Sequence, residues 1–298
     1  MRRLFVVLAV LAALAAAGWM LVITVSAGLP AVGDLARRAP AETSLMRARA
    51  REARDEGRPV RVEKRWVPYD RISPLLRRAV LIAEDDAFYD HGGLDWNEMR
   101  ASARANVNRG RVIRGGSTIT QQLAKNLYLG EERTITRKLK EALLAVRLER
   151  ALTKRRIFEL YLNCIEWGPG VYGAEAASRH WFGHPASSLT PREAALLAAI
   201  IINPRKFSPL DPAKRIQRRT KMILSRMHRR GFLNDTQYAE ALGLPPPAPA
   251  ATAAESTFAA APDSTAPPAD TSPALASPTP EAAPAVPDTT PVSPPAAP

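Results

Sequence analysis

The sequence predicts a mainly α protein, on three observations. Apolar residues recur at helical spacing through most of residues 65–244. The runs open on serine, threonine or asparagine, the residues that cap helix N-termini. Strand-like sequence is confined to 61–68, and no repeat with a period of about 20–50 residues is present.

The first element is residues 4–27, 24 residues without a charge. At ~1.5 Å per residue a helix of that length crosses a ~30 Å hydrocarbon core. A cleaved signal peptide is the rival reading, but its apolar region runs to only about 7–15 residues. Arg2 and Arg3 precede the run, which keeps the N-terminus (1–3) cytoplasmic and puts the rest of the chain outside. The expected plan is a single-pass anchor at 4–27, a juxtamembrane linker at 28–64 and a folded domain at 65–244.

Within the domain, Ser73 caps a helix with Pro74 at its first position, and that helix delivers Glu84 near its end. Ser117 is expected to cap a helix running through Leu123 to Leu127. Thr136 is expected to cap another, with Leu139, Leu143 and Val146 on one face. Thr153 precedes a third, aligning Ile157, Leu160, Tyr161 and Cys164. Thr190, Pro191 and Glu193 form a capping box opening an all-apolar helix, 194–202, that must be buried and that Pro204 stops. A basic helix is expected from Asp211-Pro212, and a short last one from Asn234 to Gly243. The glycine-rich stretches 92–93, 115–116 and 168–173 read as shaped loops.

Residues 245–298 are almost entirely Ala, Pro, Ser and Thr, with five acids and no Lys or Arg. Such a composition buries too little apolar surface to offset chain entropy, so a disordered tail is expected, either simply solvated or a docking site for a wall or membrane partner. Without those five acids the formal charge of the chain rises from +13 to +18. The excess is concentrated in 100–156, with 15 Lys/Arg against four Glu. Phosphate or anionic lipid headgroups suit such a patch. Nucleic acid is the alternative, opposed by an outward-facing domain. The single Cys164 says nothing of redox compartment.

Four segments carry chemistry. In Glu84-Asp85-Asp86-x-Phe88-x-x-His91-Gly92, adjacent acids at a helix C-terminus oppose the helix dipole and raise one another's pKa, which suits a base at neutral pH; a solvated acidic turn or a cation site is the alternative. In 115–126, two glycines permit close backbone approach and the helix N-terminus favours an anion. Ser117, Thr118, Gln121, Gln122, Lys125 and Asn126 add polar groups there. Arg133, Arg137, Lys138 and Glu141 follow, with Arg137 and Glu141 sharing a helix face, as an ordinary ion pair also would. Glu159 and Asn163, one turn apart, and then Gly168, Gly170 and Tyr172 read as structural.

In this order the four segments resemble the peptidoglycan glycosyltransferase family, which polymerises lipid II. The second matches the family's Gly-Gly-Ser-Thr-x-x-Gln-Gln-x-x-Lys-Asn motif almost letter for letter, and 189–204 looks like a fifth motif. The resemblance spans about 65–207. The Trp167-Gly168-Pro169-Gly170 run and the short length look like the monofunctional members. The Ser-x-x-Lys and Lys-Thr-Gly of a penicillin-binding transpeptidase do not occur.

The resemblance implies a lysozyme-like helical lobe, with a smaller membrane-proximal lobe near 97–114. It also implies growth of β-1,4 glycan strands at the cell (inner) membrane, with undecaprenyl pyrophosphate released. Glu84 would be the general base, and Lys125, Arg133, Arg137 and Lys138 would neutralise the leaving pyrophosphate. Glu141 would orient these cations or share a divalent metal, magnesium or manganese. Asp85, Phe88, His91, Ser117, Thr118, Gln121, Gln122 and Asn126 are expected at the substrate. Lipid II, the growing lipid-linked strand, the membrane and other wall-synthesis or division proteins are the expected partners. The rival readings are a lysozyme-like lytic enzyme and an inactive, membrane-tethered wall-binding protein.

Overall fold

The computed structural model describes residues 1–109, 115–130, 132 and 134–245. Arg133, residues 110–114 of the expected membrane-proximal lobe and residues 246–298 of the tail lie outside the described residues. Within them the mainly α expectation holds. The helices are α1 (Arg2–Ala27), α2 (Ser44–Asp55), α3 (Pro74–Glu84), α4 (Trp96–Asn108), α5 (Ile119–Tyr128), α6 (Ile135–Ala151), α7 (Lys154–Cys164), α8 (Ala174–Phe182), α9 (Pro191–Ile200), α10 (Lys214–Arg229) and α11 (Asp235–Leu242).

Helix α1 contains the uncharged run 4–27, and no residue of it is buried. An apolar helix left uncovered needs apolar surroundings. Residues 28–64, expected as a linker, fold back on the domain. Leu29, Val32 and Leu35 enter the main core, and α2, capped by Thr43, buries Leu45, Met46, Ala50 and Ala53. Arginines between these apolar positions hid the pattern.

The core is built around α9. Ala194–Ile200 are all buried, and α9 packs against α3 and α10. Two caps differ from expectation. The N-cap of α5 is Thr118, not Ser117, because Gln121 completes a capping box only with Thr118. The N-cap of α6 is Thr134, whose hydroxyl accepts the Arg137 N–H. The inner face of α6 is correspondingly Glu141, Leu144, Ala145 and Leu148. The stripe Leu139, Leu143 and Val146 falls on the other side, half-buried. Helix α10 begins at Lys214 without a side-chain cap.

The glycine stretch 168–173 is a strand pair, not a loop. β1 (Glu63–Lys64), β2 (Glu166–Gly168) and β3 (Val171–Tyr172) form one sheet in the order β1-β3-β2. Asn163 ties this sheet to the core. Its Oδ1 accepts the Val67 N–H (3.0 Å) and its Nδ2 donates to the carbonyls of Val67 (3.0 Å) and Glu159 (2.9 Å). Glu159 accepts from Arg156 (3.0 Å). Gly170 has φ +75°, and a Cβ there would sit 2.5 Å from the Arg61 carbonyl oxygen. Gly170→Ala is therefore expected to destabilise the domain by about 3 kcal/mol, read as a lower urea midpoint at unchanged slope.

Candidate active site

The C-terminal end of α3, the N-terminal half of α5, the first turns of α6 and one face of α10 enclose a cleft of about 770 Å³. Glu84 and Glu141, 57 residues apart in sequence, both line it. Asp85, Ser117, Thr118, Gln122, Lys125, Arg137 and Lys138 also line it.

Glu84 is the last residue of α3, and its side chain is only 11% exposed. Burial raises its pKa, and Arg219 and Gln122 pull it back down. Gln122 Nε2 donates to Glu84 Oε2 (3.1 Å), and Arg219 Nη2 donates to Glu84 Oε1 (2.6 Å) and to the Ala83 carbonyl (2.9 Å). Tyr161, buried in the core, donates its hydroxyl to Gln122 Oε1 (2.9 Å). Burial holds that phenol's pKa well above its ordinary value, so it stays a donor. Its hydrogen bond fixes which end of the Gln122 amide faces Glu84. The carboxylate is thus oriented from both sides.

Across the cleft Glu141 is 3% exposed and holds two cations. Arg137 Nη1 donates to its Oε2 (2.6 Å), and Lys138 Nζ to its Oε1. Lys138 also donates to Ser117 Oγ (2.8 Å), joining the glycine loop to α6. The buried Arg137 Nε has no hydrogen-bond partner among the described residues. Among the described residues no three His, Cys, Asp or Glu side chains are placed to hold a metal ion. Both Glu141 oxygens are engaged by Arg137 and Lys138.

The first segment sits differently from the expectation. Asp85 Oδ2 accepts the Ile119 N–H at the start of α5 (2.9 Å), and both its oxygens face His91 Nε2 (3.0 and 3.1 Å). The anion attracted by that helix N-terminus is therefore Asp85 itself. His91 Nδ1 accepts the Gly93 N–H (3.1 Å), so Nε2 carries the proton given to Asp85. Phe88 is fully buried against Phe158. Phe88, His91, Gln121 and Asn126 do not line the cleft. Gln121 is spent on the α5 capping box, and the Thr118 hydroxyl donates to the Gly93 carbonyl (2.7 Å). Asp85, His91 and Thr118 clasp the α3–α4 connection to α5.

Sequence reasoning missed the α10 wall. Arg215, Arg219, Met222 and Arg226 line the cleft at spacings of four, three and four, a single helical stripe. That periodicity was present in the basic helix. Nothing local separated Arg219 from its neighbour Arg218.

Against known proteins, a transglycosylase family model matches residues 53–228. The biosynthetic peptidoglycan transglycosylase of Chromobacterium violaceum is 47% identical over 188 residues, 63% of this chain and 82% of that protein. That of Neisseria gonorrhoeae is 47% identical over 189 residues, 63% and 81% of the two chains. That of Dechloromonas aromatica is 46% identical over 188 residues, 63% and 81%. With a base-like carboxylate facing a cationic wall, and a match over most of the folded part, this chain belongs to the transglycosylase family.

Proposed function

We propose that this peptidoglycan glycosyltransferase polymerises lipid II into β-1,4 glycan strands, with Glu84 as general base. The observation that carries this is the cleft itself, which sets a buried, oriented carboxylate against a group of cations. Glu84 takes the proton from the acceptor sugar's 4-hydroxyl. That oxygen bonds to the anomeric carbon of the lipid-linked strand, the bond to the pyrophosphate oxygen breaks, and configuration inverts. A pyrophosphate leaves as a weak base and needs charge neutralisation more than a proton. Lys125, Arg137 and Lys138 suit that task, with Glu141 fixing two of them. No step is routed through a divalent cation.

A lysozyme-like hydrolase would need one carboxyl as an acid for an alkoxide leaving group, and would have little use for such a cationic wall. The anchor reading goes with the substrate. Helix α1 would cross the inner membrane once with its N-terminus in the cytoplasm, and the domain would stand outside, where exposed Trp96 and Val107 on α4 suit a lipid surface. Incubating the full chain in detergent with purified lipid II, and separately with finished glycan, tests the reaction. Long polymer from lipid II is the expected product. Shortening of the glycan without polymer would overturn the assignment.

A further inference from the structure

The connector between α1 and the domain is held by its own carbonyls. Arg147 on α6 donates through Nη2 to the Ser26 carbonyl (2.6 Å) and hydroxyl (2.8 Å), and through Nη1 to the Leu29 carbonyl (3.3 Å). Arg156 on α7 donates to the carbonyls of Leu35 (2.7 Å) and Arg38 (3.0 Å), while its remaining Nη1 is fixed on Glu159. Lys64 on β1 donates to the carbonyls of Pro40 (2.6 Å) and Ala41 (2.9 Å). Three cations from three elements thus take six carbonyls of residues 26–41. Between them Leu29, Val32 and Leu35 are buried. A flexible tether would leave such carbonyls to water, and charge-assisted bonds are the stronger kind.

We infer that this connector is a rigid bracket, and that Arg147 and Arg156 are positioning residues that set how the cleft stands over the membrane. The inference rests on the reading of α1 as an anchor. Helix α6 carries both ends of the device, with Arg147 on the connector and Arg137, Lys138 and Glu141 at the cleft. Six residues separate Glu141 from Arg147, about 9 Å along the helix axis. The point where the chain leaves for α1 is therefore tied, through one helix, to the cations proposed for the pyrophosphate. A substrate headgroup anchored by its lipid is confined to the bilayer surface, so the height of those cations decides whether it reaches them. A free chain over residues 28–41 would let the domain wander by roughly 20 Å.

The test uses the full chain in phosphatidylethanolamine/phosphatidylglycerol vesicles carrying lipid II, and in detergent with a short-chain lipid II analogue. One variant is Arg147→Ala with Arg156→Ala. The second inserts six Gly/Ser residues between Ala27 and Gly28, outside the domain core, so that it folds whatever the first does. Both are expected to lose roughly tenfold in kcat/KM in vesicles, and to stay within about twofold of the parent in detergent. Equal losses in both media, or no loss in vesicles, would overturn the bracket. A parent chain that does not stay with the vesicles overturns the anchor reading instead, and the bracket with it.

Discussion

Replacing Glu84 by glutamine is expected to lower the polymerisation rate by about 10³-fold, with binding of lipid II and the unfolding midpoint little changed. Glutamine keeps the shape and can still pair with Gln122, but it cannot accept the hydroxyl proton. The side chain sits where Arg219 and Gln122 aim both of its oxygens, so the loss falls on kcat and not on KM. A variant retaining a tenth or more of parental kcat would remove Glu84 from the role of base.

The pH profile gives an independent reading of the same residue. The base must be ionised, so kcat/KM falls as pH drops through the Glu84 pKa. Burial lifts that pKa above the ordinary glutamate value, and the acid limb is expected at correspondingly higher pH. Arg219 pulls the pKa down, so Arg219→Gln moves the limb to higher pH. A limb that stays put in that variant would mean that Arg219 does not set the ionisation of the base.

The parts legible in the sequence were those decided by local chemistry. Ser73-Pro74 and the Thr190–Glu193 capping box specify helix starts whatever surrounds them, and both stand as read. The run 194–202 has no polar face and so reads as buried; Ala194–Ile200 are, while Ile201 and Ile202, past the end of α9, are half-buried. Ser117 and Thr118 are both capping residues, but only Thr118 has Gln121 three residues on to complete a capping box. The Thr118 hydroxyl also reaches the Gly93 carbonyl, a partner 25 residues away that sequence does not show. The same long-range logic makes Asp85, which lines the cleft, a clasp on α5 as well. It also gave Glu84 its partner from α10, 135 residues along the chain. Motif spacing identifies which residues matter, but an ion pair between distant helices has no signature in sequence.

Replacing Glu141 by glutamine tests the other wall, and is expected to lower kcat by about 10²-fold while KM rises much less. The glutamate is neither acid nor base in the proposed step. Its charge keeps Arg137 and Lys138 side by side against their mutual repulsion. Without it Lys138, already 45% exposed, is free to swing into water. The more buried Arg137 loses its charge-assisted bond, which costs about 2 kcal/mol of stability. Leaving-group charge builds up only as the glycosidic bond to pyrophosphate breaks, so dispersing these cations raises the barrier more than it weakens ground-state binding. If Glu141 instead served as ligand to an added divalent cation, the parent's rate would depend on magnesium or manganese and the variant's residual rate would not. Parallel titrations with metal and chelator separate the two roles. A metal-independent parent together with the expected fall in kcat leaves Glu141 as the residue that organises the cationic wall.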